Sequence, residues 1–221
     1  MLLNYLYSNF LEERAFADAC QSSSKALDTL VQVRVFPVPS YEYTSNGQSV
    51  SFVSDFTDCD TYRFHLKGHT AWFDVITRLG LHTEERARRH FFSRYNEAKV
   101  TFLTSDLGRQ LVEAAPDVGE QFDVEHADAT WGHFLNGVYG VCTRDGQPES
   151  VFLKQAGVMF IEKMTAAGPG SLTPAQTQLL KRAVTLLDAV ESDFAPHEAP
   201  QASRQRCIVD VRADFSLNVA A

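Results

Sequence analysis

The sequence lacks the short motifs that identify several common enzyme classes. It contains no G-x-S-x-G elbow, no G-x-x-x-x-G-K-S/T phosphate loop, no G-x-G-x-x-G turn and no H-E-x-x-H pair. Each motif places a nucleophile, a phosphate cradle or two metal ligands in a fixed local geometry, so its absence removes support for that class. The sequence therefore assigns no reaction and no cofactor, and whether the protein is an enzyme stays open.

Cysteine is scarce and widely spaced. The four cysteines, Cys20, Cys59, Cys142 and Cys207, form no C-x-x-C pair in the 221 residues. A chain of this length with so few, distant thiols is not typical of a disulfide framework or of a structural zinc cluster. We therefore predict neither disulfides nor a metal site.

Long apolar runs are also missing. No run approaches the ~20 residues that a helix needs to cross a bilayer. The segment Met1 to Phe10 lacks the basic start, the clean hydrophobic stretch and the cleavage site of a signal peptide. The net charge of −8 disfavours binding to anionic membranes. We expect a cytoplasmic protein without a membrane partner.

Basic residues are rare in the first sixty positions. Residues 1–60 hold three Lys and Arg side chains against eight carboxylates, a balance of −5. Duplex DNA is bound largely by neutralising its phosphates with Lys and Arg, so this segment should be repelled by nucleic acid. The sequence predicts no nucleic-acid partner.

The pattern that these residues do contain is two short helices and a hairpin. One helix ends over Phe16 to Gln21, and Ser22 to Ser24 caps a second helix that runs from Lys25 to Arg34. Tyr41 to Val53 alternates as a hairpin, with its turn expected at Asn46-Gly47. Ser54 to Asp60 is predicted to be a polar joint, so that residues 1–60 form a winged helix-turn-helix-like head.

From residue 61 onward the pattern is helical. A helix is expected over Thr61 to Leu79, and a second helix begins after the capping residue Thr83. Val151 to Met164 is nearly all apolar and is predicted to be the buried central helix, and Thr173-Pro174 begins an amphipathic one. The predicted fold is mainly α, with residues 61–221 as a helical bundle that follows the head.

Two groups of histidines have spacings that suit metal ligands. His65 and His69 would share one helix face at positions i and i+4, and His126 and His133 are seven residues apart near Glu125 and Asp128. Neither group has a third anchored ligand. A mononuclear metal site could draw on these residues, but ordinary hydrogen-bonded histidines are the favoured interpretation, and no metal is predicted.

Trp131 to Cys142, WGHFLNGVYGVC, is the most unusual segment. Three glycines within nine residues cost a helix about 1 kcal/mol each, so they should have a reason. One explanation is close helix packing. The other is room for a ligand, with Trp131, Asn136 and Tyr139 as ligand-binding walls and His133 as a candidate catalytic base.

A second candidate lies between two prolines. The loop presents His197 and Glu198, a pair that suits an oriented general base, and Arg204 follows as a clamp for a carboxylate. The alternative is a loop held by salt bridges to the last helix. A basic run from Arg86 to Arg94 is open in the same way, as an anion site or as a surface paired with the chain's own acids.

Three segments resemble an uncharacterised family of proteins encoded in bacterial natural-product biosynthesis clusters. They are NYLYSNFLEERAFADAC with FPVPSYEY, WGHFLNGVYGVC, and LDAVESDFAPHEAPQASRQR. The resemblance implies a pathway context and no assigned reaction. Residues 1–60 also resemble the DNA-binding head of MerR-type regulators, but Ser22 to Gln32 has one lysine where groove-reading arginines are expected.

The leading hypothesis is an accessory or tailoring protein of a natural-product pathway. It would bind a small metabolite, or a carrier-bound or peptide intermediate, in a pocket of the helical body. The first alternative is a MerR-like, ligand-sensing transcriptional regulator, and the second is a scaffold that activates a partner biosynthetic enzyme. A homodimer stays open as the assembly.

Overall fold

The computed structural model describes residues 2–122 and 127–217. Its first part alternates short helices with three strands. The helices and strands in this part, in chain order, are α1 (Leu2–Asn9), β1 (Phe10–Glu12), α2 (Glu13–Ala19), α3 (Ser24–Gln32), β2 (Tyr41–Val50) and β3 (Asp55–Leu66). Ser23 caps α3, since its hydroxyl accepts a hydrogen bond from the backbone N–H of Ala26.

The strands form one antiparallel sheet in the order β1-β3-β2. β2 pairs with β3 from Tyr41 opposite Phe64 to Val50 opposite Asp55, whereas β1 covers only the last three residues of β3. The far half of the hairpin therefore projects beyond the rest of the sheet. Its tip exposes Phe52 fully.

The hairpin turns later than the sequence predicted. Asn46 and Gly47 lie within β2, opposite Cys59 and Asp58, so the expected turn there is wrong. The chain reverses between Ser51 and Ser54 instead, where the Ser51 hydroxyl and the Ser54 backbone exchange hydrogen bonds. The sequence predicts a polar joint at Ser54 to Asp60. From Asp55 onward these residues instead belong to β3, because pairing with β2 outweighs their polar composition.

The rest of the described chain is mainly helical. Its α-helices are α4 (His69–Leu79), α5 (Glu84–Thr104), α6 (Asp106–Ala114), α7 (Pro116–Gln121), α8 (Ala127–Leu135), α9 (Val138–Cys142), α10 (Pro148–Thr165), α11 (Pro174–Val190) and α12 (Asp210–Asp214). A 3₁₀ turn, Ala199–Gln201, and a π-helical segment, Gln205–Val209, precede α12. The prediction of a mainly helical chain with a helical bundle is confirmed.

Several helix starts follow from local capping. Thr83 and Ser105 accept hydrogen bonds from the backbone at the starts of α5 and α6. Thr173 and Gln176 form a capping box at the start of α11, with Pro174 in its first turn. α10 is the buried central helix, as predicted from its apolar run.

The first predicted body helix is wrong over its first half. Residues 61–66 belong to β3, and α4 begins only at His69. His65 therefore lies on a strand and His69 in the first turn of a helix, so they do not share one helical face. The predicted division into residues 1–60 and 61–221 stays a prediction, although β3 runs across it.

Three hydrophobic clusters hold the fold together. One joins α5, α6, α10 and α11 with the C-terminal helix, and a small one lies under α1 and the sheet. The third contains side chains from α2 and α3, such as Phe16 and Leu27, together with Trp72, Phe91 and Phe134 of the helical body. This shared cluster packs the N-terminal helices directly against the body. Within the described ranges, no helix combines the length and apolar character needed to cross a membrane.

Candidate functional site

A cleft of about 680 Å³ opens between α5, α8 and α10. Aromatic and aliphatic side chains make up its apolar part, and amides, cations and one histidine make up its polar part. The apolar lining includes Phe92, Tyr95, Phe122, Phe152, Val158 and Met159. The polar lining includes Arg88, Asn96, Lys99, Gln121, Thr130, His133, Lys154 and Gln155. A volume of this size is typical of sites for small organic ligands.

Helical spacing explains why these residues share the cleft. On α5 the lining residues recur three and four positions apart, at Arg88, Phe92, Tyr95 and Lys99. α8 and α10 each present one face in the same way. The cleft is therefore bounded by three helix faces that packing elsewhere in the bundle holds apart.

A chain of hydrogen bonds crosses one wall. The hydroxyl of Tyr95 donates to Gln155 Oε1 at 2.6 Å, and Gln155 Nε2 donates to the hydroxyl oxygen of Tyr139 at 2.9 Å. Burial raises the pKa of Tyr95 to about 12 and raises that of Tyr139 as well. Both phenols are neutral at physiological pH, so this wall offers oriented dipoles rather than charge.

Cations supply the charge. Arg88 pairs with Asp128 at 2.7 Å and lies 5.7 Å from the centre of the Phe92 ring. Lys99 donates to the backbone carbonyl of Phe122, and Lys154 lies 3.9 Å from Glu191. None of the described lining residues is an aspartate or a glutamate. The described part of the cleft is therefore positive.

His133 is the predicted site residue that lines this cleft. It is exposed on α8, with its ring centre 6.2 Å from that of Tyr139. Tyr139 is buried and reaches the cleft through Gln155. Trp131 is buried elsewhere, donating to Glu84 Oε1 at 2.9 Å, and Asn136 is exposed but does not line the cleft. The structure thus brings two of these four predicted residues to one wall.

Close packing accounts for two glycines of this segment. A Cβ on Gly140 would lie 2.1 Å from the hydroxyl of Ser40. Gly137 has a φ of +73°, and a Cβ there would lie 3.1 Å from the backbone carbonyl oxygens of residues 38 and 39. A side chain at either position would collide with the segment that leads into β2. Gly132 meets nothing within 4 Å. The packing explanation therefore holds at Gly137 and Gly140.

His197, Glu198 and Arg204 do not line the cleft. Glu198 accepts a hydrogen bond from the Tyr41 hydroxyl at 2.6 Å, and the exposed His197 lies 3.8 Å from it. Arg204 binds Asp188 at 2.7 Å and Asp193 at 3.2 Å. Burial acts to raise the pKa of Asp188, but its arginine partners outweigh burial and lower it. These contacts match the loop held by salt bridges, the alternative that the sequence left open.

Metal and thiol chemistry find little support in this geometry. Across residues 2–122 and 127–217, no three His, Cys, Asp or Glu side chains are placed to hold a metal ion. Glu125 and His126 lie outside the described residues. Burial raises the pKa of the Cys142 thiol, which suits an inert core cysteine rather than a nucleophile.

Sequence reasoning missed the α5 and α10 walls. Phe92 and Tyr95 lie in and beside the basic run from Arg86 to Arg94, and Lys154 and Gln155 lie inside the apolar run Val151 to Met164. The available signal was the mixing of basic and aromatic residues at three- and four-residue spacing on α5. Such spacing shows which residues share one face of a helix, but it does not show that a cleft lies next to that face.

One family model matches residues 87–216, and it is described as a family of unknown function, DUF6058. The matched range contains α6 to α12 and all but the first three residues of α5, and so every lining residue of the cleft. No curated protein and no solved structure matches the chain.

Proposed function

The chain belongs to the DUF6058 family, and we propose that it is an accessory or tailoring protein that binds a small metabolite or a carrier-bound intermediate in the cleft of its helical body. The cleft carries this proposal. It combines an aromatic floor, oriented hydrogen-bonding groups and cations, which are the features that bind and orient small organic ligands. The pathway, bacterial natural-product biosynthesis, rests on the resemblance of three segments, and a cytoplasmic location goes with it.

Within this proposal His133 is the candidate general base. It lies on the cleft wall near the chain of hydrogen bonds, where a bound ligand would meet it. His197 and Glu198 have no such position, because their contacts hold a loop against the sheet. Arg204 likewise has both its contacts within the protein.

Blocking the cleft tests the proposal. Ala129 is an exposed lining residue of α8, so Ala129→Trp should fill the opening without disturbing the core. Ala175→Trp, on an exposed position of α11, is the matched control. We expect 2-naphthoate or its neutral amide to bind the wild type and the control in ligand-detected NMR, and neither to bind Ala129→Trp. Equal signals from all three proteins, or none from the wild type, would refute the proposed site.

A MerR-like regulator is a second candidate because of the element order in residues 2–66. A pair of helices followed by a β-hairpin is the order of a winged helix-turn-helix, and the sheet order β1-β3-β2 agrees with it. Against it, α3 carries Lys25 as its one basic residue, and Asp28 on the same helix pairs with Arg63. A salt-dependent gel shift on the neighbouring promoter separates the candidates. Nanomolar, sequence-specific binding would favour the regulator.

A scaffold that activates a partner enzyme is favoured by the hairpin tip. Val50, Phe52, Val53 and Phe56 are all exposed there, and β2 is an edge strand that can accept an extended peptide. The scaffold predicts stable co-purification with a partner enzyme and loss of the complex when Phe52 becomes Ser. It predicts no effect of Ala129→Trp.

A further inference from the structure

One of the three cations that line the cleft makes no hydrogen bond to the residues that the structure describes. Arg88 is bonded to Asp128, and Lys99 is bonded to the carbonyl of Phe122. Lys154 differs, because its ammonium lies 3.9 Å from Glu191 Oε1, beyond hydrogen-bond distance. An ammonium has three N–H donors, and this one lines the cleft.

Glu191 is the reason that Lys154 stays in this place. Its side chain is 0% exposed, and that of Lys154 is 18% exposed. The Ser203 hydroxyl donates to Glu191 Oε1, while Oε2 has no hydrogen-bond partner among the described residues. Burial raises the pKa of this carboxyl group, against the opposing effects of Ser203 and Lys154. A buried carboxylate requires a nearby cation, so Glu191 holds Lys154 beside it by charge.

The surroundings of Lys154 select the rest of the ligand. Phe92 and Phe122, both partly exposed, supply aromatic surface, which an apolar body would cover. A cationic ligand would meet the positive side chains without a described carboxylate on the lining. A purely polar anion would leave the aromatic surface uncovered.

We propose that the cleft binds an amphipathic anion, with its apolar body against Phe92 and Phe122 and its anionic group on Lys154, which Glu191 positions. An aromatic carboxylate is the simplest member of this class. This inference rests on the proposed function and adds to it the chemical class of the ligand.

Three probes of equal shape measure the charge preference. They are 2-naphthoate, the neutral 2-naphthamide and the cationic 2-naphthylmethylammonium, titrated into the full-length protein and followed by calorimetry or by amide shifts in NMR. A charge-assisted hydrogen bond is worth roughly ten- to a hundred-fold in affinity. We expect the acid to bind tighter than the amide by about that factor and the cation to bind weakest.

Matched variants assign the preference to Lys154. The double variant Lys154→Met/Glu191→Gln removes both charges together, so no unpaired buried charge threatens folding. Lys154→Arg keeps the charge and is the control. We expect the double variant to bind acid and amide equally, and the control to keep most of the preference for the acid.

The outcomes separate the two proposals. If acid and amide bind the wild type equally and Ala129→Trp abolishes both, the cleft is a binding site and the anion inference is wrong. A preference for the acid that survives in the double variant also overturns the role of Lys154. If no probe binds, both proposals fail.

Discussion

Acid should destabilise this protein through two buried histidines, His65 and His69. Each side chain is 1% exposed, and all four ring nitrogens lack a hydrogen-bond partner among the described residues. His65 packs against the rings of Phe16 and Phe36, and His69 against those of Phe36 and Phe134. Burial lowers the pKa of His65 to about 4 and that of His69 to about 3. Both rings are therefore neutral in the folded protein.

Neighbouring charges modify this effect. The guanidinium of Arg63 lowers the pKa of His65 further, while Asp28 raises it, and His65 lowers that of His69. Glu13 lies 3.6 Å from His65, and burial raises the pKa of its carboxyl group despite Arg63. Glu13 opposes the histidines, because its folded carboxyl group takes up a proton more readily than the unfolded one and offsets part of the loss in acid.

The size of the loss follows from the pKa differences. An unfolded histidine titrates near 6.5, so below that pH the unfolded state binds protons that folded His65 and His69 refuse. The free energy of unfolding falls by about 1.4 kcal/mol per pH unit for each histidine until the folded pKa is reached. Between pH 7.5 and pH 5 the loss is about 2 kcal/mol for each, or about 4 kcal/mol for both. That is a large part of the 5 to 15 kcal/mol by which domains are usually stable.

Urea unfolding at pH 7.5, 6.0 and 5.0 measures this loss. His65→Leu, His69→Leu and the double variant replace the rings with apolar side chains that cannot titrate. His82→Leu, at an exposed position between α4 and α5, is the control. Between pH 7.5 and pH 5, each single core variant should lose about 2 kcal/mol less stability than the wild type, and the double variant about 4 kcal/mol less.

Parallel plots of unfolding free energy against pH for the wild type and the core variants would refute the reasoning. If the wild type and the double variant lose the same stability over this pH range, neither histidine is held neutral by the fold. A change of slope in His82→Leu as large as that in the core variants would point instead to a general effect of net charge.

Three further results are expected. Gly140→Ala should lower the free energy of unfolding in urea by about 1 to 3 kcal/mol, because its Cβ would lie 2.1 Å from a serine hydroxyl. Gly132→Ala has nothing within 4 Å of its Cβ and should raise that free energy by up to about 1 kcal/mol. Equal effects of the two substitutions would contradict the packing role of Gly140. Tyr41→Phe should cost about 2 kcal/mol by removing the donor to the carboxylate of Glu198, measured by thermal unfolding, and an unchanged Tm would show that this contact does not hold the loop. Iodoacetamide should label the exposed Cys59 in the native protein, and it should label the buried Cys142 and Cys207 only after unfolding. Mass spectrometry would detect the labels. Labelling of the buried thiols in the native protein would mean that the core opens.

The family match and the cleft cover the same part of the chain. Residues 87–216 include the lining of the cleft and the Lys154–Glu191 pair, whereas the sheet and the first helices lie outside that range. The cleft is therefore the feature to test first in this family. The exposed hairpin is the feature to test for what is particular to this chain.

Local signals in the sequence determined most of the helices. Thr83 and Ser105 mark helix starts, Thr173-Pro174 marks another, and the apolar run after Pro148 is the buried central helix. These signals succeed because helix hydrogen bonds and caps join residues three or four positions apart. The local sequence also singled out His133 and the glycine-rich segment, but it could not show which other parts of the protein they lie against.

Only the tertiary structure decided the strand β3 and the cleft. Residues 55–60 form a strand because β2 supplies their pairing partners, which lie beyond the three- or four-residue reach of local helix signals. Lys154 lines the cleft beside a buried carboxyl group because Glu191, far along the chain, packs next to it. Both outcomes depend on groups that are distant in sequence and meet only when the helices and strands pack. A local pattern records which residues share one face of an element, and it holds no information about what that face will meet.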